Sequence, residues 1–162
     1  FVNIAILETI GFWASAIVGI LVAIYTAFLF AQAKGRDFWQ SPSLPLHMLV
    51  HSLMAGAAAL AVGSFFMETS AAYDNFLGYV ILGTLVVNLI NMVFELTITH
   101  PTTDAKATVK MIVKGRYKTR FWYGVVVFGN LLPLAMIIAG SSLPIAAVIA
   151  LVGILLTETI WV

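Results

Sequence analysis

Apolar residues gather in five long blocks, roughly 9–33, 46–66, 76–97, 121–139 and 143–161, with polar, proline-containing or charged stretches between most of them. A helix needs about 20 residues to cross a hydrocarbon core of about 30 Å, and the blocks are of that length. Runs such as Ile17–Ile24 and Ile145–Leu156 are continuously apolar, without the residue-by-residue alternation of a membrane β-strand. The pattern therefore predicts an all-α, polytopic transmembrane bundle with about five spans in this chain, a single unit over residues 1–162. The chain starts and stops within apolar sequence, and its first block has neither a basic leader nor a small-residue cleavage site. The expectation is a portion of a larger membrane protein, without a signal peptide.

Basic residues in the connections give the orientation. The first carries Lys34 and Arg36, the second none, the third Lys106, Lys110, Lys114, Arg116, Lys118 and Arg120, and the Gly140–Ser142 turn none. This alternation predicts loops 34–45 and 98–120 on the cytoplasmic side of a bacterial or archaeal inner membrane. The first block then begins outside and the fifth ends inside. Lys106, Lys110 and Lys114 recur every four residues, as on one face of a short helix. The connector reads as an amphipathic segment against anionic headgroups, with docking of a cytoplasmic partner as the alternative. Trp39, Trp122, Tyr123 and Trp161 sit at block ends, as interfacial anchors do.

Composition narrows the chemistry. The chain is 62% apolar and 9% charged, against about 45–50% and about 25% in soluble domains. A net charge of +1 provides no basic face for nucleic acid. The absence of cysteine excludes disulfides, thiolate metal centres and iron–sulfur ligation within this chain.

Polar groups at membrane depth are costly and are functional candidates by default. Asn88, Asn91 and Glu95 are spaced by three and four residues and share a face of the third helix. His47 and His51 are one turn apart near the cytoplasmic end of the second, and Tyr25 comes late in the first, at similar depth. The expectation is an inner-half cluster of Tyr25, His51, Asn91 and Glu95, with Arg120 at the mouth of the fourth helix pairing with Glu95. Asn and His can also serve only as interhelical glue worth about 0.6–2 kcal/mol, and His47 can sit among headgroups. A charged carboxylate at helix centre costs about 2.5–3.5 kcal/mol on insertion scales. Glu95 is accordingly read as a protonatable relay, and Glu95, Asn91, Asn88, His51, His47 and Arg120 as candidates for a proton path. Asn130 is read as satisfying a carbonyl freed by Pro133. His47 and His51 share one helix face, and His100 precedes Pro101 in a loop. No pair can clasp a haem from opposite sides, so neither haem nor metal is expected in this chain.

The stretch YTAFLFAQAKGRDFWQSPSLPLHMLVHSLMAGAAAL carries a more specific signal. With Tyr25-Thr26-Ala27, Phe38-Trp39, Pro42, Leu44-Pro45, Ser52 and Ala55-Gly56-Ala57, it resembles the NrfD/PsrC family, the integral-membrane subunits of polysulfide reductase and related molybdopterin oxidoreductases. Glu95-Leu96, His100, Gly115-Arg116-Tyr117, Phe121-Trp122-Tyr123-Gly124 and Gly129-Asn130-Leu131-Leu132-Pro133-Leu134 follow in the family's order. The resemblance implies a protein of eight or more helices, of which this chain is roughly the C-terminal five. It also implies menaquinone or ubiquinone bound near the outer face, a ferredoxin-like iron–sulfur subunit, and a molybdopterin catalytic subunit reached through it. This chain would not be catalytic alone. Quinone-binding candidates are Asn3 and Glu8 in the outer half of the first helix, and Tyr25 if the family's site tyrosine aligns there. A passive membrane anchor is the alternative. A small-solute or ion transporter is a third reading, which the lack of an internal inverted repeat disfavours.

Overall fold

A computed structural model describes residues 2–33, 37–98 and 102–161. Helix α1 spans Val2–Ala31 and leads through a 3-10 turn, Asp37–Gln40, into α2, Leu44–Gly63. Helix α3 is Ala71–Thr97, and the short α4 is Thr103–Val113. Helix α5, Arg120–Ile138, is π-helical over Arg120–Leu131 and α-helical over Leu132–Ile138; α6 is Leu143–Trp161. All except α4 are long and apolar enough to cross a membrane. No strand occurs among the described residues.

Local chemistry sets the helix ends. Pro45 lies in the first turn of α2, where its missing N–H would have had no helical partner. The Ser70 hydroxyl accepts the Tyr73 N–H at 3.2 Å, which lets α3 start five residues ahead of its apolar block. Thr102 caps α4 in the same way, accepting the Ala105 N–H at 3.2 Å. Between α5 and α6 the Ser141 N–H reaches the Met136 carbonyl at 2.9 Å and the Gly140 N–H that of Ile137 at 3.1 Å. Gly140 has φ +67°, the left-handed conformation that this helix-ending motif needs.

Helix α2 lies antiparallel to both α3 and α6, and α5 runs antiparallel along α6. The segments near 37–47, 95–98, 102–120 and 158–161 therefore meet at one end of the bundle, the basic end. Two apolar layers fill the interior. Toward the other end, Met54, Ala57, Ala58 and Ala61 of α2 pack against Leu77, Ile81 and Leu85 of α3 and Ala147 of α6. At the basic end, Ile112 of α4 packs with Met92, Phe121, Val125, Ile160 and Trp161. By contrast, among its described side chains α1 buries only Ala23 and Ala27, one turn apart, and leaves most of its apolar surface exposed.

Helices α5 and α6 touch backbone to backbone at Gly129 and Gly153, where a Cβ on either residue would fall against the main chain of the other. Close approach through small residues is how helices associate in lipid, where water provides no hydrophobic drive. Gly153→Ala is expected to lower stability by about 1–3 kcal/mol through overpacking. Thermal unfolding in detergent measures this; an unchanged midpoint would refute the close approach.

Candidate functional site

A buried polar cluster is interleaved with the basic-end apolar layer, and the other apolar layer lies beyond it. One face of α2 contributes His47 and His51, a turn apart; α3 contributes Asn88, Asn91 and Glu95; α5 contributes Asn130 and α6 contributes Glu158. All but Glu158 are buried, and Glu158 keeps 31% of its side chain exposed.

The hydrogen bonds form a chain whose direction is fixed from one end. The Val125 carbonyl can only accept, so the atom of Asn130 lying 2.8 Å from it is the amide nitrogen. Asn130 Oδ1 in turn accepts Asn88 Nδ2 at 2.8 Å. That leaves Asn88 Oδ1 facing His51 Nε2 at 3.1 Å, so Nε2 carries the hydrogen and donates. The other ring nitrogen, Nδ1, lies 2.7 Å from Glu158 Oε1. At this distance the imidazole and the carboxylate are hydrogen-bonded directly and share a proton.

The donor atoms of His47, His51 and Glu158 lie within 4.8 Å of one another, a set that invites comparison with a metal centre. Tetrahedral zinc, with bonds of about 2.0–2.1 Å, holds its donors about 3.3 Å apart. The 2.7 Å separation is that of a charge-assisted hydrogen bond. Nor can the histidines sandwich a haem, because their rings lie side by side with centroids 4.1 Å apart.

The π-helical stretch of α5 makes the chain possible. Its hydrogen bonds run five residues back, as from the Leu132 N–H to the Val127 carbonyl, so Val125 and Asn130 become neighbours along the helix. Asn130 thus serves Val125 and Asn88, which corrects the expectation that it repairs the break at Pro133.

A second group of polar atoms is buried without hydrogen-bond partners: His47 Nε2, both Asn91 amide atoms and both Glu95 oxygens. Unmet groups of this kind cost about 1–3 kcal/mol each. The two asparagines therefore differ in character. Asn88 bridges helices, whereas Asn91 has no hydrogen-bond partner among the described residues. His47 sits between the carboxylates, its Nδ1 3.5 Å from Glu95 Oε2 and its Nε2 3.6 Å from Glu158 Oε1. Its ring stacks on Trp161 at 5.7 Å and 26°.

Several expectations are corrected. His47 is a buried core residue and does not lie among headgroups. Tyr25 is 61% exposed and lies outside the cluster, because Ala23 and Ala27 face the bundle and Tyr25 falls on the opposite side of α1. Arg120 is exposed, and the ion-pair partner of Glu95 is His47. Glu8 is exposed on α1, while the Asn3 side chain and His100 lie outside the described residues. Trp161 is buried against His47, and its carbonyl accepts the Trp39 indole N–H at 2.7 Å. Trp122 donates to the Val113 carbonyl at 3.2 Å, fastening α5 to α4.

Glu158 is the residue that pattern reading misses. Its signal is a lone carboxylate in the fifth apolar run, near the same end as Glu95 in the third.

Comparison with known proteins gives one result: the family described as Polysulphide reductase, NrfD, matches residues 3–160. No curated protein and no solved structure matches the chain.

Asn88→Ala, Asn130→Ala and the double variant form a thermodynamic cycle. Their coupling energy is expected at about 0.6–1.7 kcal/mol, the range for interhelical hydrogen bonds in lipid. Strictly additive losses in equilibrium unfolding would show that the Asn88–Asn130 bond contributes nothing.

Proposed function

Because the chain belongs to the NrfD family, we propose that it is the membrane subunit of a quinone-linked redox complex whose His47, His51, Glu95 and Glu158 exchange protons during turnover. In this reading menaquinone or ubiquinone is the mobile electron carrier, and a ferredoxin-like iron–sulfur subunit connects it to a molybdopterin catalytic subunit. The chain has no cysteine to hold a redox metal, which fits a division of labour in which electrons reside on partners.

A quinol that becomes a quinone releases two electrons and two protons, and the reverse reaction takes them up. The electrons pass to or from the partner, and the protons need groups that can accept and return them. The observation that carries the proposal is the buried His51–Glu158 hydrogen bond of 2.7 Å, a direct contact between two groups that can both take up and release a proton. Two further ionisable groups, His47 and Glu95, lie within reach. A passive anchor has no use for a buried carboxylate placed against an imidazole, so the Glu95–His47 pair favours a working site.

Depth sets what the cluster can do. Seven residues separate Glu95 from Asn88, about 10 Å of helix within a core of about 30 Å. Beyond Asn130 the described interior is apolar. The amides of Asn88 and Asn130 do not ionise, so mobile protons stay with the two imidazoles and two carboxylates. The arrangement supports exchange with the basic side, which by charge is the cytoplasm, and not a channel through this part of the bundle.

The quinone candidates do not form one pocket. Glu8 and Tyr25 are exposed and 17 residues apart on α1, about 25 Å along its axis. They cannot grip one headgroup together. The open faces of α1 fit a protein with further helices, where such a pocket would be completed.

Glu158→Gln and Glu95→Gln preserve shape and remove proton exchange. In the complete complex in proteoliposomes, each is expected to lower quinol-linked turnover and its proton exchange on the basic side by about 10–100-fold, with KM for quinol nearly unchanged. Parallel loss of quinol binding and turnover, or wild-type proton exchange in both variants, would overturn the proposal.

A further inference from the structure

The amphipathic α4 packs against the Asp37–Gln40 turn and the start of α5, and a groove of about 500 Å³ lies between it and the inner end of α3, lined also by Trp122. Its wall is apolar, formed by Val93 and Leu96 of α3 and Val109 and Val113 of α4. Its rim is basic: Lys106 and Lys110 of α4 and Lys114 at its C-cap line it together. All three lysines are exposed, and none is in an ion pair among the described residues. The buried Ala105 and Ile112 hold α4 against the bundle, which sets the backbone positions of Lys106 and Lys110.

The apolar wall continues into a membrane-spanning surface. Val93 is 63% and Ile90 64% exposed; they lie on one face of α3, three residues apart. A ligand in the groove thus meets cationic groups at one end and the hydrocarbon-facing side of α3 at the other. A peptide following that face would take unpaired backbone groups into the hydrocarbon, whereas an acyl chain carries none. Cationic grooves between helices on the cytoplasmic side suit lipid phosphates for this reason. Trp122, 43% exposed and tied to Val113, lies at the start of a membrane-spanning helix, where tryptophans favour the interface between headgroups and acyl chains.

We propose that this groove binds an anionic glycerophospholipid, its phosphate on the row of Lys106, Lys110 and Lys114 and one acyl chain along Val93 and Ile90 of α3. The bound lipid braces α4 against the segment of α3 that carries Glu95, without entering the proton cluster.

The test uses the full-length protein in its complex, reconstituted in vesicles with brominated phosphatidylglycerol or brominated phosphatidylcholine. Bromine quenches nearby indoles, and a Trp122→Phe control isolates the contribution of Trp122. Half-maximal quenching of Trp122 is expected at a mole fraction of phosphatidylglycerol about tenfold lower than of phosphatidylcholine. The triple variant Lys106→Gln, Lys110→Gln, Lys114→Gln should erase that preference; these side chains are exposed, so the fold should survive, as thermal unfolding will verify. Equal quenching by the two lipids, or a preference that persists in the triple variant, would overturn the proposal. So would loss of the preference in millimolar inorganic phosphate at constant ionic strength, which would identify a free-anion site, or protection of the lysines by an acidic protein partner in place of lipid.

Discussion

A polar atom in the interior of a membrane protein has no water to turn to, and the arrangement of this bundle follows from how that constraint is met. The Val125 carbonyl, reached by Asn130, fixes the roles of every donor and acceptor up to His51. Three helices are joined by this chain and a fourth is reached through Glu158. The same bonds that hold α2, α3 and α5 in register decide which nitrogen of an imidazole bears hydrogen. Structural and chemical roles are inseparable at Asn88 and Asn130, whereas Asn91 and Glu95, on the same face of α3, lack hydrogen-bond partners.

Backbone geometry provides what side-chain identity alone does not. The close contact of Gly129 and Gly153 brings α5 near enough for a short amide to reach across the bundle. The π-helical stretch then turns that amide toward Asn88. Small residues, unusual helical winding and a polar side chain act in series, and removing any one would leave buried groups unmet.

The number of spans and the basic end were legible in the chain because apolar length and loop charge are local properties. The shared face of Asn88, Asn91 and Glu95 was equally legible, since α3 keeps the ordinary α-helical period. Partners were harder to read. Tyr25 matched the cluster in depth, but depth does not tell which side of α1 meets the bundle; Ala23 and Ala27 settled that by allowing close contact. The facing of Asn130 depends on winding that apolar periodicity does not reveal. Glu158 was hidden by the apolar residues around it, although a carboxylate in such a run faces the same physical cost as Glu95.

The hydrogen bond between the Trp39 indole and the Trp161 carbonyl also has a mechanical meaning. The turn that follows α1 is latched to the far end of α6, and the ring of Trp161 is the surface on which His47 lies. Helix α1 buries little against its neighbours, yet through this latch its inner end is geared to the imidazole between the two carboxylates. A tilt of α1, a helix open along most of its length, would shift side chains enclosed in the bundle.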